Sequence, residues 1–341
     1  MSATSRVAVL LEPGRLELRE EARPTPQAGE LVVRVRAALT DGTDLKTYRR
    51  GHPQMPTPTR FGHEFSGDVA AAGEGVTAFA PGDAVMCVHT APCRACFWCA
   101  QGEEELCERL MSTMVLGAYA DYVTLPQALV AQNCFHKPAD LSYREAAFLE
   151  PLSCVVHSLE TARPQGSVAI VGDGAFGLLH ALVLRERGVD AIVIGRRAER
   201  LERARSYGFD PVDARAADPV RVVRERTGGR GADAVIECTG TQSAWEEAPS
   251  LVRRGGTVSL FGGLAAGSRV SFEAARLHYD EVRVRSPFHF TPRAVRDARY
   301  LLVERRIDVG PLITHTYPLH EIASAFARLD SGEGMKACIE P

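Results

Sequence analysis

The sequence predicts an α/β fold in which a β-rich segment is followed by a doubly wound parallel sheet. The first hundred residues alternate short strand patterns with Pro and Gly turns. After Ser167, continuous apolar runs alternate with helical stretches, which is typical of strands buried on both faces of a parallel sheet. A chain of 341 residues is long enough for two domains.

The composition is that of an ordinary globular protein. Apolar residues make up 45% of the chain, charged residues 24%, and the net charge is −3. This charge gives no reason to expect nucleic acid or a membrane surface as a partner, and no apolar run is long enough to span a bilayer. Nine cysteines, odd in number, with no secretory segment after Met1, predict a cytoplasmic protein.

The β-rich segment contains one clear strand and two polar islands. Leu31 to Thr40 alternates apolar and charged residues, which predicts a half-buried strand. The islands are Asp41-Gly42-Thr43-Asp44 and Gly62-His63-Glu64. By themselves they are as consistent with a polar turn and a core histidine as with a functional site. We expect this segment to be all-β and barrel-like rather than helical.

A cluster of cysteines follows with the spacing C-x2-C-x2-C-x7-C. Its members are Cys93, Cys96, Cys99 and Cys107. Four thiolates can surround one zinc ion tetrahedrally and leave no open position for a substrate, so the cluster predicts a structural zinc in a lobe over about residues 88–112. Buried thiols or redox-active pairs are the alternative. The residues between the cysteines form no apolar face, which favours zinc.

A capping box at Ser142 and Glu145 predicts a helix from Ser142 to Glu150, which Pro151 ends. Glu150 would then lie in the last turn, where its carboxylate opposes the helix dipole. A cation near Glu150 would relieve this.

The first strand of the parallel sheet leads into a glycine-rich turn. Ser167 to Val171 is the strand, and a helix from about Ala175 to Arg187 follows the turn. In this context the motif predicts a dinucleotide site, because its glycines let the backbone approach a pyrophosphate at the helix N-terminus. A tight turn without a ligand is the alternative. The motif residues are Gly172, Asp173, Gly174, Ala175, Phe176 and Gly177.

Later strands of this sheet end in further candidate nucleotide contacts, because ligands bind at the carboxyl ends of parallel strands. These candidates are Thr239, Gly240, Phe261 and Gly262, with Phe288 after them. Thr291 and Pro292 predict the start of a helix that runs to about Arg305. A second helix is expected over Pro318 to Leu329, and a last strand over Ala337 to Ile339.

The turn after the second strand of the sheet predicts a preference for NADP. An acid there would bond the ribose 2′-hydroxyl of NAD and repel a 2′-phosphate. Here the strand closes with Gly195-Arg196-Arg197, with no acid before Glu199. The two guanidinium groups can bind a phosphate, although two solvated arginines are the alternative in so Arg-rich a chain.

The order of these motifs over essentially the whole chain resembles the zinc-containing medium-chain dehydrogenase/reductase superfamily, in particular its polyol, sugar and threonine dehydrogenases. The resemblance implies a GroES-like β-barrel catalytic domain formed by both ends of the chain, with an inserted Rossmann domain. The expected boundaries are residues 1–153, 154–288 and 289–341.

The resemblance also implies a second, catalytic zinc. Its expected ligands are Asp41, His63 and either Glu64 or Glu150. Most members have Cys where this chain has Asp41, and a carboxylate makes the site harder, so other divalent metals can also suit it. The family's proton relay position maps onto Thr43, with Asp44 supporting the ligands. Lys46 stands where relatives often have His.

The sequence thus predicts reversible, NADP-preferring oxidation of a secondary alcohol of a polyol, sugar or cyclitol. One alternative is an NAD-dependent amino-alcohol dehydrogenase of the threonine type. Another is a non-catalytic nucleotide-binding protein that has lost its catalytic metal. The resemblance further suggests a homodimer or homotetramer.

Overall fold

The computed structural model describes residues 3–341. The chain forms two compact units, one made of Met1–Ser153 with Phe290–Pro341 and the other of Cys154–His289. Within the described range, none of the helices combines the length and the apolar character that crossing a bilayer requires.

Short strands dominate the first 150 residues. The strands are β1 (Thr4–Glu12), β2 (Arg15–Ala22), β3 (Leu31–Leu39), β4 (Thr59–Arg60), β5 (Glu64–Ala72), β6 (Ala84–Cys87), β7 (Tyr122–Leu125) and β8 (Cys134–His136). The helices are α1 (Gly42–Arg50), α2 (Phe97–Ala100), α3 (Gln127–Asn133), α4 (Tyr143–Ala146) and α5 (Leu149–Ala162), with 3₁₀ turns at Glu104–Leu106 and Met111–Thr113.

Strands and helices alternate in the next part of the chain. The strands are β9 (Val168–Val171), β10 (Ala191–Gly195), β11 (Val212–Asp213), β12 (Ala232–Glu237), β13 (Val252–Leu260) and β14 (Arg283–Arg285). The helices are α6 (Ala175–Glu186), α7 (Ala198–Ser206), α8 (Pro219–Arg226), α9 (Gln242–Glu247) and α10 (Ala274–His278), with a 3₁₀ turn at Ala248–Ser250.

The C-terminal part returns to the first unit. It contains α11 (Pro292–Val303), β15 (Ile313–Pro318), α12 (Ile322–Asp330) and β16 (Lys336–Glu340), with 3₁₀ turns at Gly310–Leu312 and Leu319–Glu321. Thr291 caps α11 and Pro292 opens it, as predicted. The second predicted helix begins later than expected, because Pro318 ends β15.

The largest sheet of the first unit has the order β15-β16-β3-β5-β6-β8, with β7 also paired to β3. A smaller sheet has the order β2-β1-β4. The predicted strand at Leu31 is confirmed as β3, whose charged positions 34 and 36 are exposed while its apolar positions are buried. Leu39, at the end of β3, lies opposite both Glu64 of β5 and Cys338 of β16. Three distant segments therefore meet just before Asp41.

The sheet of the second unit is entirely parallel and has the order β11-β10-β9-β12-β13-β14. The strand order reverses between β9 and β12, which is where doubly wound sheets bind dinucleotides. The predicted α/β fold class, with a GroES-like part and a Rossmann-type parallel sheet, is confirmed.

Two sequence-based expectations about helices were wrong. The capping box at Ser142 exists, but its helix ends at Ala146, and Glu150 and Pro151 lie in the first turn of α5. Proline fits a first turn because no helical partner is lost there. The Glu150 carboxylate is therefore favoured by the helix dipole instead of opposed by it.

The second error concerns the first hundred residues, which are not all-β. The Asp-Gly-Thr-Asp island is the start of helix α1, with Asp41 as its N-cap. The pattern D-x-x-D is an acidic version of the capping box. Gly42 made the segment resemble a turn, so the helix that begins there was not predicted.

Candidate functional site

Asp41 is fixed at the start of α1 by two reciprocal hydrogen bonds. Its Oδ1 accepts from the Asp44 backbone N–H at 2.6 Å, and the Asp44 carboxylate accepts from the Asp41 N–H at 3.3 Å. The other oxygen of Asp41, Oδ2, lies 3.8 Å from Nε2 of His63. Two ligands each about 2 Å from one zinc ion have a separation of this order.

The His63 ring is oriented from its other side. Its Nδ1 lies 3.2 Å from Oδ1 of Asp44, and the Tyr119 hydroxyl donates to Oδ2 of the same carboxylate. A proton on Nδ1 that is directed at Asp44 leaves the lone pair of Nε2 facing Asp41, which is how metal-binding histidines are usually held. Asp44 and Tyr119 therefore fix the direction of the ligand atom.

Glu64 is fully buried and forms an ion pair with a lysine from the last strand. Lys336 is 1% exposed, and its Nζ donates to Oε2 of Glu64 at 2.5 Å and to the Thr40 carbonyl at 2.8 Å. The other carboxylate oxygen of Glu64, Oε1, has no hydrogen-bond partner within residues 3–341. A buried oxygen in this state is costly unless a cation or donor reaches it.

Glu150 completes the cluster from the first turn of α5. It is 3% exposed, and its Oε1 lies 3.4 Å from Nδ1 of His89. The His89 ring also packs edge-on against His63, with ring centroids 4.8 Å apart, and near Phe290 at 5.7 Å. The two acidic ligand candidates thus have different neighbours, since Glu64 faces a lysine and Glu150 a histidine.

Burial and the charges of neighbouring side chains shift the pKa values of His63, Glu64 and Asp41. Burial lowers the pKa of His63, but the Asp44 and Asp41 carboxylates raise it well above the ordinary value. Burial raises the pKa of Glu64 well above its ordinary value, against the opposing charge of Lys336. Burial also raises the pKa of Asp41, but His63 and Lys336 hold it below the ordinary value. The raised pKa values of His63 and Glu64 show that this group of buried carboxylates favours bound positive charge, which a proton or a metal cation can supply.

The donor set fits a divalent metal. Ligand atoms of Asp41, Asp44 and His63 lie within 4.8 Å of one another, and so do those of His63, Glu64 and Glu150. Both oxygens of Asp44 already accept hydrogen bonds, so it supports His63. Imidazole nitrogen and carboxylate oxygens are zinc ligands, and the unpartnered Oε1 of Glu64 offers one.

Thr43 and Lys46 both lie on α1 after Asp41. The Thr43 backbone N–H also supports the Asp41 carboxylate, and its side chain is exposed. Lys46 is half-buried one turn further along. Both therefore lie on the helix that carries Asp41.

The four cysteines of the predicted lobe come together, with sulfur atoms within 4.8 Å of one another. The Cys107 sulfur accepts from the backbone N–H of Cys93 at 3.2 Å and of Arg109 at 3.4 Å, and the Cys96 and Cys99 sulfurs are 3.5 Å apart. The backbone N–H of Cys99 lowers the pKa of Cys96 to about 6, while burial raises that of Cys99 to about 12. Such N–H···S bonds support thiolates around a metal.

The glycine-rich turn after β9 is built for close approach. Gly172 has φ +126°, a conformation that favours glycine. A Cβ at residue 177 would lie 1.9 Å from the Gly172 carbonyl oxygen, so α6 packs directly on the turn. Gly174 is the N-cap of α6, followed by buried Ala175. The first helical N–H groups therefore face the end of β9.

The turns after β12 and β13 lie beside this one. A Cβ on Gly172 would contact Thr239, and one on Gly262 would lie 2.3 Å from the Gly240 nitrogen. Phe176 and Phe261 pack with ring centroids 5.0 Å apart. The predicted nucleotide contacts thus gather at one edge of the sheet.

The remaining predicted nucleotide contacts, Arg196, Arg197 and Phe288, are exposed side chains. Arg196 and Arg197 are exposed in the turn between β10 and α7. Phe288 follows β14, with 46% of its surface exposed and its ring 5.7 Å from that of His289.

Family models match most of the chain. The model of the alcohol dehydrogenase GroES-like domain matches residues 27–137, and that of zinc-binding dehydrogenases matches residues 175–304. The sorbitol dehydrogenase of Halalkalibacterium halodurans is 32% identical over 336 residues, covering 96% of each chain. This chain belongs to the zinc-containing medium-chain dehydrogenase/reductase superfamily.

Other members of this superfamily agree over the full length. The L-threonine 3-dehydrogenase of Bacillus subtilis is 29% identical, covering 95% of this chain and 94% of its own. A zinc-binding dehydrogenase structure from Sinorhizobium meliloti 1021, solved with bound NADP, has a TM-score of 0.89 at 28% identity and covers both chains completely. This member of the superfamily is therefore a dehydrogenase that acts on alcohol groups of a small-molecule substrate.

Sequence reasoning missed several residues that shape these sites. Tyr119, His89 and Lys336 contact the acidic cluster from distant segments. Glu237 is fully buried at the end of β12, where its carboxylate accepts from the Thr239 N–H at 2.6 Å and the Gly240 N–H at 3.1 Å. Glu237 could have been found from its place at the end of a predicted strand, directly before a glycine turn. Nothing in the sequence pointed to the other three residues.

Proposed function

We propose that this chain is a zinc-dependent oxidoreductase that reversibly oxidises a secondary alcohol of a polyol, sugar or cyclitol, with hydride transfer to NADP. The observation that carries the proposal is two buried groups of possible ligands that share His63, one with Asp41 and Asp44 and the other with Glu64 and Glu150. In a dehydrogenase of this superfamily, such a cluster is suited to a catalytic metal and to polar substrates.

The proposed catalytic zinc would be held by Oδ2 of Asp41, Nε2 of His63 and either Glu64 or Glu150. A second zinc would be held by the four cysteines of the lobe, so the proposal is two zinc ions per chain. When bound, the catalytic zinc supplies Lewis-acid polarisation of the substrate hydroxyl, and NADP supplies the hydride acceptor.

In the proposed mechanism, the side chains around the metal site orient the ligand atoms and transfer the substrate proton. Asp44 and Tyr119 direct Nε2 of His63 at the ligand position. Lys336 holds one oxygen of Glu64, so only Oε1 is available to a ligand, whereas Glu150 approaches from the α5 N-terminus. The Thr43 hydroxyl can accept the substrate proton and donate its own towards solvent. Lys46 is the proposed last group of that route.

The NADP preference rests on the β10–α7 turn. Gly195 stands at the position where an acid would select NAD, and Arg196 and Arg197 follow it. The NADP bound by the Sinorhizobium meliloti relative is consistent with this choice.

The metal half is tested with Asp41→Ala in the zinc-loaded protein. We expect zinc content to fall from two ions to one per chain and kcat to fall by at least about a thousandfold, because the Lewis acid is lost. Elemental analysis and steady-state kinetics check this. Retained turnover, or loss of both zinc ions, would contradict the proposal.

The substrate and cofactor halves are tested with a panel of polyols, sugars, cyclitols and amino alcohols, each with NADP and NAD. Higher kcat/KM for polyol-type substrates with NADP is expected. Activity confined to threonine-type substrates with NAD would favour the amino-alcohol reading. The homo-oligomeric state and the cytoplasmic location stay predictions.

A further inference from the structure

Asp173, in the middle of the glycine-rich turn, is bonded to the neighbouring turn of the sheet. Its Oδ2 accepts from the backbone N–H groups of Arg196 and Arg197, each at 2.8 Å. Arg197 is the N-cap of α7. The carboxylate therefore fastens the β9–α6 turn to the β10–α7 turn and satisfies two N–H groups at the start of α7.

The same carboxylate explains why no acid closes β10. A Cβ at residue 195 would lie 2.4 Å from both Cβ and Oδ2 of Asp173. Contacts this short do not occur in folded proteins, so any side chain at position 195 would displace Asp173. Gly195 and Asp173 thus depend on each other, and the missing acid is a consequence of this packing.

A third arginine, Arg200, is held beside the other two. Its Nη1 lies 3.9 Å from Oδ1 of Asp173 and would be 3.7 Å from a Cβ on Gly174. The side chain of Arg200 is only 22% exposed. One carboxylate therefore fixes the backbone that carries Arg196 and Arg197 and lies beside the guanidinium group of Arg200.

We propose that Asp173 is the positioning residue for nucleotide selection, because it fixes the backbone from which Arg196 and Arg197 extend, and lies beside the Arg200 guanidinium, so that these arginines receive the 2′-phosphate of NADP. The backbone N–H groups of the turn are taken by Asp173, so recognition of the phosphate falls to the guanidinium groups. This inference rests on the NADP preference proposed above.

An opposite role for Asp173 is that it replaces the missing acid and itself accepts the ribose 2′-hydroxyl of NAD. The geometry disfavours this. Oδ2 already accepts two N–H groups, Oδ1 faces Arg200, and the side chain is 10% exposed.

The test is equilibrium binding of 2′,5′-ADP and 5′-ADP to the zinc-loaded full chain by calorimetry, which needs no turnover. The wild type should bind 2′,5′-ADP at least about tenfold more tightly than 5′-ADP. Asp173→Ala should reduce this ratio to about threefold or less, because the turn loses its anchor. Asp173→Asn keeps an acceptor oxygen for both N–H groups and should retain the preference for 2′,5′-ADP.

Gly195→Ala provides an independent check, because its new Cβ displaces the carboxylate while Asp173 remains in the sequence. It should reproduce the loss seen with Asp173→Ala. Circular dichroism and retained 5′-ADP binding establish that each variant is folded, and the Ala and Asn variants at position 173 decide the matter if Gly195→Ala does not fold.

Three outcomes overturn the inference in distinguishable ways. An unchanged ratio in Asp173→Ala shows that the carboxylate does not position the arginines. Tighter 2′,5′-ADP binding together with weaker 5′-ADP binding in Asp173→Ala shows that Asp173 reads the ribose. A wild type that prefers 5′-ADP refutes the NADP half of the proposed function as well.

Discussion

Lys336 supplies a buried positive charge to the acidic cluster. It is the buried partner of Glu64, and replacing it with Met would leave a buried carboxylate without its cation. We expect Lys336→Met to lower the free energy of unfolding by about 3 kcal/mol. Urea unfolding followed by circular dichroism measures this.

The matched control is the double variant Lys336→Met with Glu64→Gln, which removes both charges. It should lose less stability than the sum of the two single changes, because no unpaired charge stays buried. Strict additivity would show that the pair is not coupled in the folded protein.

His180 should make stability depend on pH. It is fully buried in α6, where its Nδ1 lies 2.7 Å from the Phe176 carbonyl oxygen, and burial lowers its pKa to about 4. As the pH falls below 6.5, His180 becomes protonated in the unfolded chain but stays neutral in the folded chain until the pH approaches 4. The contribution of His180 to the free energy of unfolding therefore falls by roughly 3 kcal/mol between pH 6.5 and pH 4 and is constant above.

The comparison is with His180→Asn, which keeps an N–H donor but does not titrate. The slope of stability against pH between 4 and 6.5 should be shallower in the variant than in the wild type. Equal slopes would mean that His180 is not held neutral.

At the scale of single elements, α1 gives Asp41 two separable roles. Its carboxylate caps the helix and is also a proposed metal ligand. Asp41→Ser and Asp41→Ala should both lose the catalytic metal, but serine keeps a capping oxygen. We expect the serine variant to be more stable by about 1 kcal/mol in urea unfolding. Equal stabilities would show that the cap contributes nothing.

Elements were predictable from the sequence where local chemistry decides them. The run before Gly172 and the glycine-rich turn placed β9 and α6 correctly, because apolar period and turn residues act locally. The end of the predicted helix at Pro151 was wrong, since proline breaks a helix interior but suits a first turn. The sequence could not distinguish these two positions.

At the scale of the whole molecule, the two metal sites should differ in how firmly they hold zinc. The lobe offers four sulfurs, whereas the acidic cluster offers oxygen and one imidazole, which bind zinc less tightly than thiolates do. Brief treatment with EDTA should therefore remove one zinc per chain together with activity. Added Zn²⁺, Mn²⁺ or Co²⁺ should restore activity.

Elemental analysis before and after treatment measures this, and Cys96→Ser is the control that weakens the lobe instead. Loss of the lobe zinc first, with activity intact, would contradict the assignment.

The family and fold could be predicted because their motifs are contiguous. The partners of the ligands could not, because Glu64 and Lys336 are 272 residues apart and come together through the pairing of both β5 and β16 with β3.

The positions of these groups along the chain also set an order for biosynthesis. All four thiols of the lobe lie within residues 93–107, so they can enclose zinc while the ribosome is still making the rest of the protein. The buried lysine that balances Glu64 comes 272 residues after it along the chain. We therefore expect nascent chains stalled after the lobe to carry one zinc, and the acidic cluster to reach its final charge balance only once Lys336 has been synthesised and has folded against Glu64.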